Sequence, residues 1–363
     1  MLQMGQTGRH AFALGICAIY ALAALEAYPH PPVRAYTRTG CQGHARRTCC
    51  PITSDSTQIL TPGTLVFHPA DSAIPYHWFT YVPESADPTE RNFIWVTGLH
   101  GNLMTDDYAR ITAESREMAV RRSAMAEQHK LIMLVPVIPR PSTNTVYAVA
   151  FDWRVFLDST DALVRRPDLK VNMMVDRFTE ALRDHGYDVD RRVFVNGFSA
   201  AGMFAQRYSL LHPERVLAVA AGQCGGFMTL PEAVHADTII HEMDWPLGVH
   251  DLETLVGYGF NNEAYRSVAQ FIFIGDQDTA NSTVGRPGEV IRTQSQIDFL
   301  GGTFGDRDPA RLENQAKYLI DKGYDVTFRL YVGVGHRFTR EMWEEMLSFF
   351  DGIREREVSL RAR

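Results

Sequence analysis

The chain has 363 residues, of which 45% are hydrophobic and 22% are charged, a composition typical of a globular protein with one large core. Its formal net charge is -7, from 36 basic and 43 acidic residues. A protein without a basic surface does not attract a polyanion, so nucleic acid is excluded as a partner.

The N-terminus differs in character from the rest of the chain. Residues 11–25 are apolar or small and carry no charge, and small residues at Ala23 and Ala27 offer cleavage sites. This stretch fits a signal peptide better than a membrane-spanning helix, which needs about 20 residues. We predict that residues 1–27 are a signal peptide or N-terminal anchor of a secreted or periplasmic protein. The alternative is a cytoplasmic protein with a misassigned start codon, and no later segment is expected to span a membrane.

The cysteines allow two interpretations. Five are present, at positions 17, 41, 49, 50 and 224. Removal of the leader would leave four, an even number that is compatible with disulfides in an oxidising compartment. Cys41, His44, Cys49 and Cys50 could instead bind a metal, but their spacing matches no tetrahedral zinc pattern. A loosely structured leader is the simpler interpretation.

After the leader, the chain divides into a linker and a folded domain. Residues 28–60 are rich in Pro, Arg, Thr and Ser and show no periodicity, which predicts a linker. Residues 61–355 alternate short β-rich runs with amphipathic stretches, which predicts an α/β fold with a mostly parallel eight-stranded sheet. The predicted strands, of which the first two should form a hairpin, are Thr64–Phe67, His77–Val82, Phe93–Thr97, Leu131–Val135, Arg192–Asn196, Val216–Ala220, Gln270–Ile274 and Val326–Val332.

Helical periodicity appears between these strands. It predicts helices over Leu169–Asp184 and Asp308–Lys322, and a last helix from about Thr339 to Phe350. Asp308 precedes a proline, and the two residues together form a favourable helix start with the aspartate as N-cap.

The third strand runs into Gly98-Leu99-His100-Gly101-Asn102. Glycine in such a loop lets the backbone direct its N–H groups toward a site. We predict that the backbone N–H of Asn102 is one donor of an oxyanion hole. For His100 we expect a supporting role in the loop rather than a catalytic one.

The strongest motif is Gly197-Phe198-Ser199-Ala200-Ala201-Gly202, which follows an apolar strand and leads into a helix. A serine in this position is typical of a nucleophile elbow, where small neighbours are needed because the turn lies against an adjacent strand. The usual pattern is Gly-x-Ser-x-Gly, and here Ala201 occupies the last position. We predict Ser199 as the nucleophile and the N–H of Ala200 as the second oxyanion donor. The alternative is a serine that merely caps the helix.

Two further loops supply an acid and a base. The strand that ends at Ile274 continues into Gly275-Asp276-Gln277-Asp278, and the last strand leads to His336 within a glycine-containing loop. An acid beyond the histidine can hold its tautomer while the histidine acts as general base. Asp278 fits the spacing better than Asp276, which is expected to brace the loop. The predicted triad is therefore Ser199, Asp278 and His336.

With these residues in this order, the chain resembles the α/β-hydrolase superfamily from about Thr64 to Phe350. It is most similar to the esterases related to polyhydroxybutyrate depolymerases and feruloyl esterases. The stretches that carry this second resemblance are Phe79-Thr80-Tyr81-Val82-Pro83 and Leu211-His212-Pro213-Glu214-Arg215-Val216.

The resemblance implies a serine esterase that acts on a small-molecule or polymeric ester, without an organic cofactor or metal. A serine peptidase or amidase of the same fold, or a non-catalytic binding protein, are the alternatives. Residues 223–265 lie where this fold carries a lid or substrate-shaping insertion, although they could equally be a cap that packs on the core. Phe198, Gln223 and Trp245 are the predicted substrate-binding residues.

Overall fold

The fold is described from a computed structural model, in which helices cover both faces of a central sheet. None of the helices within the described ranges is long and apolar enough to cross a membrane. The predicted leader, the loop with His100 and Asn102, and all cysteines except Cys224 lie outside those ranges. The structure describes residues 52–53, 60–98, 105–140, 151–236, 239–279 and 291–361.

The strands and helices are numbered here in chain order. The strands are β1 Ile52–Thr53, β2 Leu65–His68, β3 Trp78–Tyr81, β4 Ile94–Val96, β5 Ile132–Pro136, β6 Val193–Phe198, β7 Val216–Gly222, β8 Val234–Ala236, β9 Ile239–His241, β10 Ala269–Gly275 and β11 Val326–Tyr331. The α-helices are α1 Tyr108–His129, α2 Pro167–Asp184, α3 Ala200–Leu211, α4 Leu252–Val256, α5 Asn262–Arg266, α6 Gln294–Phe304, α7 Ala310–Asp321 and α8 Arg340–Arg361. In the part of the chain that the structure describes, short 3-10 helices cover Trp153–Phe156 and Pro213–Arg215.

The main sheet has nine strands in the order β1-β2-β3-β5-β4-β6-β7-β10-β11. Strand β3 runs antiparallel to both β2 and β5, and the other neighbours are parallel. All eight predicted strands are present, and the predicted α/β-hydrolase fold is confirmed. The additional strand β1 lies within the predicted linker and pairs with β2 through Ile52 and Thr53.

The sheet separates two hydrophobic layers. Every residue of β5, β7 and β10 is buried, which agrees with their continuous apolar sequences. Successive residues of β6 alternate between the layers. Val193 and Val195 pack with Phe178 of α2 on one face, whereas Phe194 packs with Phe350 of α8 on the other. The sheet is therefore covered on both faces, as the sequence predicts.

Two helix boundaries differ from prediction. Helix α8 continues to Arg361, beyond the predicted end at Phe350, because Ile353 extends its buried face and Glu357 forms a salt bridge of 2.5 Å with Arg192. Helix α7 begins at Ala310, and its start has no side-chain cap. The prediction of Asp308 as a helix N-cap was wrong, because its carboxylate accepts a hydrogen bond from another loop.

The insertion between β7 and β10 contains the β8–β9 hairpin and helices α4 and α5. Its described part is packed rather than free. Phe227, Leu230 and Leu247 are almost completely buried and form a small cluster with Leu300 and Phe304 of α6. In the described residues this segment therefore has the core-packing character that was one of its two predicted roles.

Helix α3 lies unusually close to strand β7. A Cβ atom on Gly202 would lie 2.4 Å from the carbonyl oxygen of Gly222, which is too short for any real contact. The obstacle is backbone of a fully buried strand, so it cannot move aside. Only glycine therefore fits at this position of the helix.

Substitution Gly202→Ala should destabilise the protein by about 1–3 kcal/mol, because overpacking outweighs the better helix propensity of alanine. Gly352→Ala in α8 is the matched control, since a Cβ there would have no neighbour within 4 Å. The control should raise stability by about 0.5–1 kcal/mol. Denaturant unfolding measures both changes, and a stable Gly202→Ala variant would contradict the close contact.

Candidate active site

Ser199 lies in the turn between β6 and α3, with φ 60° and ψ -125°. A positive φ in a residue other than glycine costs about 1–3 kcal/mol and persists only where neighbours hold it. The Ser199 amide donates to Gly222 O at 2.9 Å, and the Met203 amide donates to Ser199 O at 3.0 Å. Gly197 is also required, because a Cβ there would lie 1.9 Å from Ala201 O. The elbow geometry is thus present, with alanine accepted at its last position.

The structure brings the three predicted triad residues together. His336 Nε2 lies 3.1 Å from Ser199 Oγ, and His336 Nδ1 lies 2.8 Å from Asp278 Oδ2. The imidazole is 17% exposed, and the Asp278 side chain is completely buried. The residues follow the ends of β6, β10 and β11, which are parallel strands whose carboxyl ends share one edge of the sheet. This arrangement can move a proton from the hydroxyl to the imidazole.

The alternative acid has a different partner. Asp276 Oδ1 accepts a hydrogen bond of 2.7 Å from the backbone N–H of Gly333, at the start of the loop that carries His336. Asp276 therefore braces this loop, which is the role that the sequence suggests for it. Asp278 is the carboxylate that contacts the imidazole.

Gln223, which the sequence predicts to bind substrate, is buried and bonded to two carboxylates. It is 1% exposed, and its Nε2 donates to Asp278 Oδ1 at 3.2 Å and to Asp308 Oδ2 at 3.1 Å. The backbone of Gln223 has a positive φ of 41°. Its backbone N–H donates to Phe273 O at 2.8 Å. These hydrogen bonds satisfy two buried acceptors, and the role of Gln223 in substrate binding stays a prediction.

The two aromatic residues predicted to bind substrate lie in packed surroundings. Trp245 is completely buried, and its Nε1 donates to Phe151 O at 2.7 Å. Trp245 therefore packs in the core, where its indole N–H has a partner, and its role in substrate binding stays a prediction. The Phe198 ring packs 5.1 Å from the His336 ring and 5.5 Å from Phe338. Phe198 thus supports the imidazole, a contact that the sequence does not reveal.

The predicted oxyanion donors are only partly described. Ala200 is the first residue of α3 and is 4% exposed. Amide groups in the first turn of a helix have no partner within the helix and carry a partial positive charge, so they suit an anion. Asn102 lies outside the described residues, and its role stays a prediction.

Asp308 is the acidic residue near this site that sequence analysis missed. It is 4% exposed, and burial raises its pKa to about 6. Arg311 and His336 oppose this increase, whereas the negative charge of Asp278 adds to it. Among the described residues, no hydrogen-bond partner reaches Asp308 Oδ1. The only signal in the sequence was an aspartate before a proline, which also marks an ordinary helix start.

Cys224, which follows Gln223 in the chain, is a further side chain with potential reactivity. Burial raises the pKa of the free Cys224 thiol to about 12, so it is not poised as a thiolate nucleophile. Within the ranges that the structure describes, no group of three or more His, Cys, Asp or Glu side chains is arranged to hold a metal ion.

Comparison with known proteins gives only structural similarities. No protein-family model and no curated protein matches the sequence. A poly(3-hydroxybutyrate) depolymerase from Bordetella parapertussis is 19% identical, with 80% of this chain and 89% of that chain covered and a TM-score of 0.47. Poly(aspartic acid) hydrolase-1 from Sphingomonas sp. KT-1 is 18% identical over 75% of this chain and 92% of its own, with a TM-score of 0.48. Similarity at this level carries no information about substrate.

The raised pKa of Asp308 makes stability depend on pH. Because the folded state holds this proton more tightly than the unfolded state, the contribution of Asp308 is most favourable below pH 3.8 and is lost as the pH rises through about 6. Asp308→Asn does not titrate, so its stability relative to wild type should increase by about 2 kcal/mol between pH 4 and pH 7. Unfolding in denaturant at both pH values measures this, and an equal difference at both would contradict it.

Proposed function

We propose that the protein is a serine esterase that cleaves a carboxylic ester through an acyl-enzyme intermediate. The supporting observation is the unbroken line of hydrogen bonds from Ser199 Oγ through both nitrogens of His336 to Asp278 Oδ2. Each group in this line has the partner that its role requires, and the serine is held in a strained turn at a helix start.

In the first half-reaction, His336 Nε2 takes the proton of Ser199 as its oxygen attacks the ester carbonyl. The N–H groups of Ala200 and Asn102 stabilise the oxyanion, and buried Asp278 stabilises the imidazolium. His336 then gives the proton to the departing alcohol, and the acyl group stays on the serine. In the second half-reaction, His336 takes a proton from the water that attacks the acyl-enzyme, and it returns this proton to Ser199 Oγ as the acyl–oxygen bond breaks and the acid leaves.

The substrate in this proposal is a small-molecule or polymeric ester, and no organic cofactor or metal takes part. A peptidase or amidase of the same fold would use the same three residues. The leaving group distinguishes these enzymes from an esterase, because it is an amine rather than an alcohol. A non-catalytic protein would be expected to have lost one of the three, whereas all are within hydrogen-bond distance here. If residues 1–27 direct export, the protein encounters its ester substrate outside the cytoplasm.

Nitrophenyl esters of increasing acyl length provide the test of the nucleophile. The parent should cleave at least one of them, and Ser199→Ala should lose about 10⁴-fold or more in kcat. Ser209→Ala, which removes a buried hydroxyl that donates to Gln206 O from the same helix, is the matched control and should retain activity. The proposal fails if Ser199→Ala keeps the parental rate, and cleavage of anilides alone would favour the amidase.

The choice of acid has its own test, because the chain offers two aspartates two positions apart. Asp278→Asn should lower kcat by about 10⁴-fold, since the amide favours the wrong imidazole tautomer. Asp276→Asn keeps an oxygen for the Gly333 N–H and should remain within about tenfold of wild type. Steady-state kinetics on the best ester compares the two, and the opposite order would reassign the acid to Asp276.

A further inference from the structure

The amide of Gln223 joins two carboxylates that come from distant parts of the chain. Asp278 follows β10, Asp308 precedes α7, and Gln223 follows β7. A side-chain amide nitrogen has two N–H groups. Gln223 Nε2 uses one for Asp278 Oδ1 at 3.2 Å and the other for Asp308 Oδ2 at 3.1 Å. Because both partners are acceptors when ionised, the amide has only one satisfactory orientation.

The bridge fixes the carboxylate that contacts the imidazole. Asp278 Oδ2 faces His336 Nδ1, and Asp278 Oδ1 faces Gln223, so both oxygens have directional partners. The backbone of Gln223 is also held in place. Its backbone N–H donates to Phe273 O, and its backbone carbonyl accepts a hydrogen bond of 2.7 Å from the Gly225 N–H. Rotation of the Asp278 carboxylate would therefore break a hydrogen bond on each side.

Asp308 also brings a second negative charge to the back of the site. The groups that face it are Asp278, His336, the Cys224 thiol and the Arg311 guanidinium. Arg311 Nε donates to Gly305 O at 2.7 Å and its Nη1 donates to Gly226 O at 3.1 Å, so the guanidinium is anchored to backbone. Asp308 is almost completely buried, and a charge there is screened much less than one at the surface.

We propose that Asp308 is a positioning residue that acts through Gln223 to hold Asp278 in place and, when ionised, adds a negative charge that favours the imidazolium of His336. This role rests on the proposed esterase mechanism, in which the imidazolium forms in each half-reaction. Protonation of Asp308 at low pH removes the second charge. The pKa of about 6 places this change within the pH range where activity of a serine hydrolase rises.

Three variants test the role. Asp308→Asn keeps the shape and removes the charge, and Gln223→Met removes both N–H donors at similar length. Asp306→Asn makes the same chemical change at an exposed aspartate two residues away and serves as the control. For each variant, kcat and KM for the best nitrophenyl ester are measured from pH 5 to pH 9.

Asp308→Asn should lower kcat at pH 8 by about tenfold with KM unchanged, because the lost charge helps only the transition state. The acidic limb of its kcat/KM profile should move to lower pH by at least about half a unit. Gln223→Met should lower kcat in the same way, whereas Asp306→Asn should follow the wild-type profile. A wild-type profile for Asp308→Asn, or an equal change in Asp306→Asn, would overturn the proposal.

A readout independent of turnover separates this proposal from the esterase assignment. NMR titration of the His336 imidazole in wild type and Asp308→Asn reports the charge whether or not an ester is cleaved. The midpoint should be lower in the variant. If wild type cleaves no ester but the midpoints differ, the esterase assignment fails and the positioning network stands. Equal midpoints in an active enzyme would reject the network alone.

Discussion

The contact of helix α3 with strand β7 is the constraint on which the site depends. Gly202 leaves space for the carbonyl of Gly222, and the same carbonyl accepts the amide hydrogen of Ser199. The backbone is therefore held in a positive-φ turn that would relax in a looser structure. Ser199 projects from the sheet edge because a helix and a strand approach each other without side chains between them.

Parallel strands supply the rest of the arrangement. Strands β6, β7, β10 and β11 are neighbours, and the residues that follow them meet at one edge of the sheet. Ser199, Gln223, Asp278 and His336 each follow one of these strands. Large apolar layers on both faces keep the strands in register, so the distances among these side chains are set by the core rather than by flexible loops.

The polar groups behind the imidazole follow the rule that buried charges need partners. Asp278 is compensated on both oxygens by His336 and Gln223. Asp308 is less well compensated, and its raised pKa is the consequence. The protein thus keeps a carboxylate that is costly to ionise, Asp308, beside the imidazole that would become charged in the proposed acyl transfer. Perturbed acids of this kind concentrate at functional sites.

The sequence by itself determined the sheet and its central motif. Continuous apolar runs identify strands buried on both faces, and the glycine-rich segment around Ser199 identifies the elbow, because both signals are local in the chain. The order of Ser199, Asp278 and His336 likewise follows from where each strand ends. Local sequence patterns were sufficient to predict a residue's structure wherever its neighbours in the chain determine its environment.

Only the tertiary structure decided what surrounds these three residues. Gln223 and Asp308 are 85 positions apart, and their hydrogen bond depends on how α7 packs against the loop that follows β7. Locally, Asp308 has the features of a helix cap, and Trp245 has those of an aromatic residue in a substrate-binding wall. Asp308 Oδ2 and Trp245 Nε1 instead have partners that are distant in the chain. A sequence pattern reports residue type and spacing, whereas the partner of a buried polar group is selected by the packing of the whole core.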